Sequence, residues 1–222
     1  MMKKQNFKKM FGILLCMCML FSSFTVVSAN DNMDTPLVIK FEKFKFETKA
    51  YNPKNVIVEY SKTDTKELAV VKDKVTEEIL DEFVVERKAQ TKGANDTYPY
   101  ILTRTTSYGK TKVKLSVNVE MWSSGPYAQI NSIQGKYLGI ESKVTSTKIE
   151  GSNVNVWSAG NKFPTTKLLY AYNGTLVATV TSSTSSSIKA ELEGAGFSVS
   201  QTVGKTTYYR RSMDESGTIS LY

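Results

Sequence analysis

Residues 112–122 read KVKLSVNVEMW, and this stretch decides the fold. Apolar side chains alternate with lysine, serine, asparagine and glutamate over its whole length. Side chains of a β-strand point alternately to its two faces, so a period of two predicts a strand that buries one face and exposes the other. The predicted buried face consists of Val113, Leu115, Val117, Val119 and Met121.

Further segments that resemble strands lie on both sides of this stretch, with turn-forming residues between them. Each is a short run rich in β-branched or aromatic side chains, which prefer the pleated surface of a sheet. The segments are residues 55–60, 144–157 with a bulge at Gly151, the two halves of 168–180, and three short runs after Phe197.

Three turns are predicted in the second half of the chain. Asn173-Gly174 lies between two apolar runs, and this dipeptide accepts positive φ at both central positions of a type I′ turn. It therefore predicts a hairpin. The other two turns are expected at Gly204-Lys205 and near Ser216-Gly217.

One short helix is predicted over residues 187–197, which read SIKAELEGAGF. Ser187 is a favourable N-cap, Ile188 and Leu192 share one face, and the two glycines that follow end the helix. With the strands around it, this helix indicates a mainly β protein. The predicted fold is an antiparallel β-sandwich or open barrel with one short helix, preceded by a small β-rich segment.

Two N-terminal segments leave alternatives open. In residues 37–49 the apolar positions change parity between Phe41 and Phe44, which predicts either a bulged strand or a helical turn. Residues 66–88 carry apolar residues at helical spacing but also contain valine clusters. A hairpin is favoured there, because valine prefers pleated surfaces.

Residues 89–99 lack apolar periodicity and are rich in turn formers, so they are predicted to be a linker and the first site of proteolysis. This divides the chain into residues 1–29, a small β-rich segment with its linker over 30–98, and a β-sandwich domain over 99–222.

The first 29 residues have the organisation of a secretory signal peptide. Four lysines and no acidic residue precede an apolar run from Met10 to Phe21, and Val27-Ser28-Ala29 follows. Cleavage is expected between Ala29 and Asn30. The rival interpretation, an uncleaved anchor, needs about 20 apolar residues, which is more than the run provides. Localisation outside the cell, with association to the cell wall as one form of it, follows from this prediction.

Both cysteines, Cys16 and Cys18, lie inside this apolar run. Bulky residues precede each of them, which disfavours lipid attachment, and their spacing does not suit a metal site. They are therefore expected to leave with the signal peptide.

Composition excludes several kinds of chemistry. The chain has no histidine, so Ser-His-Asp and Cys-His catalysis and histidine-ligated zinc are ruled out. Four of the 29 basic residues and none of the 21 acidic ones lie in residues 1–29, so the net charge falls from +8 to +4 after cleavage. This mild excess favours an anionic surface and is too small to indicate nucleic-acid binding. No cofactor, metal site or membrane anchor is expected in the mature chain.

Candidate binding residues are four cations and two tyrosines. Two lysines lie on the polar face of 112–122, and two adjacent arginines follow a tyrosine pair near the C-terminus. They are Lys112, Lys114, Tyr208, Tyr209, Arg210 and Arg211. Guanidinium groups bind phosphate and carboxylate in a forked geometry. The rival interpretation is a solvated strand edge that blocks aggregation.

Two further residue sets have a structural and a functional interpretation each. The aromatic residues of the second half suit either a core or stacking platforms for sugars, and the core interpretation is favoured. They are Trp122, Tyr127, Tyr137, Trp157, Tyr170, Tyr172, Tyr208 and Tyr209. Three carboxylates beside strands, Glu120, Glu150 and Asp214, are the candidates for a glycosidase pair.

The sequence therefore predicts a secreted, non-catalytic recognition module whose partner is an anionic cell-wall polymer or a protein. A membrane-acting toxin or bacteriocin-like protein is the alternative, because Ser and Thr are dense over residues 143–187 and would suit an inserting hairpin. A carboxylate-dependent hydrolase is the third.

Overall fold

The stretch 112–122 lies within one long strand, as predicted. In the computed structural model, which describes residues 35–89, 97–184 and 186–222, this strand runs from Thr111 to Ser124. Its five predicted inward residues are at most 2% exposed. Burying each such side chain stabilises the fold by about 1.5–3 kcal/mol. The apolar residues of the alternating pattern therefore form the inner face of a sheet.

The described chain contains twelve strands, one 3₁₀ turn and one α-helix. The strands are β1 (Leu37–Lys40), β2 (Phe44–Thr48), β3 (Val56–Lys62), β4 (Lys66–Asp73), β5 (Ile79–Arg87), β6 (Thr97–Tyr108), β7 (Thr111–Ser124), β8 (Tyr127–Ser142), β9 (Ser146–Ser158), β10 (Lys167–Thr181), β11 (Ser198–Val203) and β12 (Thr206–Leu221). The 3₁₀ turn is Pro53–Asn55 and the helix, α1, is Ser186–Gly194.

The strands form two antiparallel sheets. Sheet B has the sequential order β3-β4-β5-β6-β7-β8. Sheet A has the order β1-β2-β12-β10-β9, and β11 also pairs with β12. On the edge of β12 that faces away from β10, β11 pairs with residues 206–210 and β2 with residues 217–221. Within the described chain, residues 211–216 thus have a strand neighbour on one side only.

The inner faces of the two sheets share a core. Its larger cluster contains Phe44 and Phe46 of sheet A against Phe83 of sheet B, with the rings of Phe46 and Phe83 5.3 Å apart. A smaller cluster includes Leu192 of α1. The predicted mainly β fold with two antiparallel sheets and one helix, consistent with a β-sandwich, is confirmed.

Helix α1 ends as its sequence predicts. The Phe197 N–H donates to the Leu192 carbonyl and the Gly196 N–H to the Glu193 carbonyl, both at 2.9 Å. Gly196 has a φ of +79°. This is the paired hydrogen-bond pattern of a glycine-terminated helix, which needs a residue that tolerates the left-handed region.

Two other predictions are confirmed. Residues 66–88 form the hairpin of β4 and β5 rather than a helix. A bulge lies on β9 at Gly151, which has a φ of +60°: Asn153 pairs with Asn173 and Glu150 with Thr175, so β9 has one residue more than β10 between these pairs.

Both interpretations of residues 37–49 were wrong. The segment is a hairpin of β1 and β2, and the Phe41 N–H donates to the Phe44 carbonyl at 2.8 Å to close its turn. Both phenylalanines are buried. The change of parity between them comes from the turn itself.

The predicted turns at Asn173-Gly174 and near Ser216-Gly217 were also wrong. Both dipeptides lie inside long strands, where Asn173 pairs with Asp214 and Gly217 with Tyr170. At both glycines the backbone of a neighbouring strand lies so close that a side chain would crowd it. A Cβ on Gly174 would lie 3.3 Å from the Glu150 carbonyl oxygen, and one on Gly217 only 2.6 Å from that of Glu47.

Strands from both sides of the 89–99 segment contribute to both sheets, and the described residues belong to one compact unit. The predicted signal peptide with Cys16 and Cys18, the predicted cleavage site between Ala29 and Asn30, and most of the predicted linker lie outside the described residues. In the described part of the chain, no helix combines the length and apolarity needed to cross a bilayer.

Candidate functional site

An ionic centre lies buried between the two sheets. The Arg104 side chain of β6 donates from Nε to Asp81 Oδ2 at 2.7 Å, and its Nη2 is also 2.7 Å from the same oxygen. From sheet A, Glu215 Oε2 lies 2.9 Å from Nη2. The guanidinium carbon is 5.6 Å from the centre of the Phe83 ring. One arginine thus bridges carboxylates of both sheets.

Hydroxyl groups complete this ionic centre. Arg104 Nη1 donates to Tyr170 Oη at 3.3 Å, and Thr106 Oγ1 lies 3.0 Å from Tyr172 Oη. Thr106 also donates to Asp81 Oδ1 at 3.2 Å. The hydroxyl of Tyr51 donates to Asp81 Oδ2 at 3.2 Å.

Burial controls the protonation of these groups. It raises the pKa of Asp81 to about 6, although the Arg104 guanidinium acts in the opposite direction. The pKa of Arg104 is itself held well above its ordinary value by Asp81, so the arginine remains charged throughout. Burial also raises the pKa values of Tyr170 and Tyr172.

The ionic centre is closed to ligands. Asp81 and Arg104 are at most 1% exposed, and the Glu215 side chain is 17% exposed. Removing one partner of a buried ion pair is costly, because it leaves the other charge buried and unpaired. We therefore assign it to the joining of the two sheets. Sequence analysis missed this centre, although Arg104 lies two residues after Leu102 and therefore on the same, inward face of β6.

An open cleft of about 780 Å³ lies beside the strand-free edge of β12. Its walls come from the β4–β5 turn, the β6–β7 turn, the C-terminal half of α1 and one residue of β12. The lining residues are Glu78, Ile79, Leu80, Ser107, Gly109, Lys110, Lys112, Glu191, Gly194, Ala195 and Arg211. Lys112 and Arg211 are two of the six predicted binding residues.

Two contacts position Arg211 in the wall of this cleft. Its guanidinium carbon lies 4.5 Å from the centre of the Tyr108 ring, and Nη1 donates to the Ala195 carbonyl. Gly196 leaves room for the group, because a Cβ there would lie 3.4 Å from Nη1. Within the described residues, no carboxylate forms an ion pair with Arg211.

The two lysines of the cleft are paired with carboxylates. Lys110 Nζ lies 2.8 Å from Glu191 Oε2, and Lys112 Nζ lies 2.6 Å from Glu82 Oε1. The cleft also has buried polar atoms, Ser107 Oγ and Glu191 Oε1, that find no hydrogen-bond partner among the described residues. The wall therefore combines a guanidinium held by neutral groups with salt-bridged ammonium groups.

The other predicted binding residues lie elsewhere. Lys114 pairs with Glu141 at 3.0 Å, and Arg210 pairs with Glu150 at 3.1 Å. Neither lines the cleft. Tyr209 is buried in the core and Tyr208 is half-buried. Successive residues of β12 face opposite sides of sheet A, so the predicted Tyr-Tyr-Arg-Arg cluster is divided between two surfaces.

The three candidate carboxylates do not have the environment of a general acid. Glu120 lies on sheet B and accepts a hydrogen bond from Ser132 at 3.3 Å. The pKa of Glu150 is lowered by its hydrogen bond with Lys148, whereas a general acid needs a raised pKa. Asp214 is exposed on sheet A. Among the described residues, no cluster of three metal-ligating side chains is found.

The aromatic residues divide between core and surface. Tyr170, Tyr172 and Tyr209 are at most 4% exposed, as the core interpretation requires. Tyr127 and Tyr137 are 73% and 63% exposed. Trp157, at 37%, lies on the outer face of sheet A.

Comparisons with protein-family models, curated proteins and solved structures give no match to this chain. The fold and the cleft define a β-sandwich protein with an ionic centre and a cationic cleft.

Proposed function

We propose that this chain is an exported, non-catalytic recognition module that binds an anionic polymer of the cell envelope. The observation that carries the proposal is Arg211, a guanidinium without a carboxylate partner among the described residues, in the wall of a cleft of about 780 Å³. Stacking on Tyr108 fixes the group before a ligand arrives, which lowers the entropy lost on binding. A phosphate or carboxylate group of the polymer is its expected partner.

Export is the first part of the proposal. The secreted protein should begin at Asn30 and contain no thiol, because Cys16 and Cys18 precede the cleavage site. Intact-mass analysis of the culture medium and reaction with a thiol reagent test this. A mass that includes residues 1–29 would contradict it.

The cleft is tested by changing charge inside and outside it. The variant Lys112→Gln/Arg211→Gln should reduce co-sedimentation with purified cell wall about tenfold or more, because it removes charged hydrogen-bond donors. The matched control, Lys114→Gln/Arg210→Gln, makes the same change of charge outside the cleft and should bind within about twofold of wild type. Wild-type binding should weaken between 0.1 and 1 M salt, as the Debye length falls from about 10 Å to about 3 Å.

A thermal melt shows whether each variant is folded. If Lys112→Gln/Arg211→Gln does not fold, Arg211→Lys replaces it, because lysine keeps the charge but lacks the forked donor geometry and should also weaken binding. Equal losses in the cleft and control variants would contradict the cleft as the site. Binding to anionic vesicles but not to cell wall would favour the membrane-acting alternative. Turnover of any polysaccharide in a panel would favour the hydrolase.

A further inference from the structure

A row of four side chains crosses the outer face of sheet A. Leu169 of β10 pairs with Trp157 of β9 on one side and with Thr218 of β12 on the other, and Thr218 pairs with Glu47 of β2. Residues directly opposite each other point to the same face of a sheet. The row therefore places an indole and a leucine beside a hydroxyl and a carboxylate across four adjacent strands.

This row forms the floor of a shallow depression of about 310 Å³. Trp157 is 37% exposed there, and the rim includes Pro36, Lys49 and Ser216. Trp157 and Leu169 lie side by side and form an apolar patch next to polar side chains of the neighbouring strands. It marks a place where apolar area is available to a ligand.

Two further rows of the same face lie next to this depression, and apart from Ala171 their side chains are uncharged polar or acidic. Ala171 pairs with Asn155 and Ser216, and Asn173 pairs with Asn153 and Asp214. The amide, hydroxyl and carboxylate groups of these rows form no hydrogen bond with another described residue. Trp157 and Asn153 are four positions apart on β9, which is about 13 Å at a rise of about 3.3 Å per residue. The surface is thus longer than one pyranose ring.

We propose that this outer face of sheet A binds a neutral oligosaccharide of gluco-configured pyranose units. A gluco-configured pyranose has an apolar face of C–H groups and a rim of hydroxyls that both donate and accept hydrogen bonds. The apolar face matches the Trp157–Leu169 pair, and the rim matches the amide, hydroxyl and carboxylate rows. An apolar protein surface would instead leave those polar groups without partners, which is costly.

The oligosaccharide site is independent of the cationic cleft. Leu169 and Leu176 are seven residues apart on β10, about 23 Å, and Leu176 is the residue paired with Arg211. Arg211 also lies on the inner side of β12, whereas Thr218 lies on its outer side. Either proposal can therefore fail without the other.

Tryptophan fluorescence provides a direct readout. The chain has two tryptophans, so Trp122→Phe leaves Trp157 as the sole indole. Adding cellohexaose or hexa-N-acetylchitohexaose to this variant should shift the emission of Trp157. In titration calorimetry at least one of the two should bind wild type, and Trp157→Ala should weaken that binding by at least about tenfold.

Tyr127→Ala is the matched control, since it removes an aromatic side chain that is 73% exposed outside the row. It should bind as wild type does. Because the ligand is uncharged, its affinity should change less than about twofold between 0.1 and 1 M salt. The proposal would be overturned if Trp157→Ala bound the oligosaccharide as tightly as the wild type does. It would also be overturned if the wild type bound neither oligosaccharide. Lys112→Gln/Arg211→Gln should leave oligosaccharide binding intact.

Discussion

Replacing Arg104 with methionine is expected to lower the free energy of unfolding by about 3–5 kcal/mol at pH 7. Methionine fills much of the same volume but has no charge, so Asp81 and Glu215 lose the cation that lies 2.7 and 2.9 Å from them. Tyr170 loses its donor as well. Urea denaturation monitored by circular dichroism measures the change.

The double variant Arg104→Met/Asp81→Leu separates a lost ion pair from lost packing. Replacing both partners of a buried pair with apolar side chains is often neutral or stabilising. The double variant should therefore be more stable than Arg104→Met alone. A single variant within about 1 kcal/mol of wild type would contradict the assigned role of the ionic centre.

The pH dependence gives a second, independent check on the ionic centre. Burial raises the pKa of Asp81 from an ordinary 3.8 to about 6. The stability associated with a raised carboxyl pKa is complete below the unfolded value and is lost as the pH rises through the folded value. Relative to Asp81→Asn, the free energy of unfolding of the wild type should therefore fall between about pH 4 and pH 7. Parallel curves would contradict the raised pKa.

Gly217→Ala is expected to destabilise the fold by about 1–3 kcal/mol or more, which is the range for overpacking. The added Cβ would lie 2.6 Å from the Glu47 carbonyl oxygen and would also contact the hydroxyl of Tyr170. Tyr170 accepts a hydrogen bond from Arg104, so the displacement would reach the ionic centre. The shift of the urea midpoint at constant slope measures the loss.

Gly194→Ala is the matched control for Gly217→Ala. It makes the same chemical change in α1, where a Cβ would meet nothing within 4 Å. Because alanine favours helix over glycine by roughly 1 kcal/mol, this variant should be unchanged or more stable. Equal behaviour of the two variants would show that Gly217 is not required for close packing.

Strands could be predicted where polar and apolar residues alternate along the chain, so that one face of the strand is apolar. This holds for 112–122, because the period of two is a local property of the chain, whereas the hairpin of 66–88 was favoured because of its valine clusters. Arg104 could have been found by the same rule, since it shares the inward parity of Leu102. It was missed because a buried arginine needs partners from other strands, and pairing across sheets is not visible in a local pattern.

Glycine explains most of the errors in strand prediction. Asn173-Gly174 and Gly217 have the composition of turns, yet each lies opposite a crowded neighbour on the next strand. A missing side chain permits positive φ or close approach, and the sequence alone does not distinguish the two. Two residues of the cleft, Lys112 and Arg211, were predicted as binding residues. The cleft itself could not be predicted, because α1 and the β6–β7 turn come together only in the tertiary fold.

The position of β12 determines when each sheet can assemble during synthesis. Sheet B joins strands in chain order, so it can grow as the polypeptide emerges. Sheet A cannot, because β12 separates β2 from β10 and is the last of these strands to appear. The pairing of β2 with β12 joins residues from nearly opposite ends of the described chain. Strand pairing over so long a sequence separation is slow. Until residues 206–221 are available, the apolar face of sheet B has no complete partner, so part of the future core stays exposed to water in the unfinished chain.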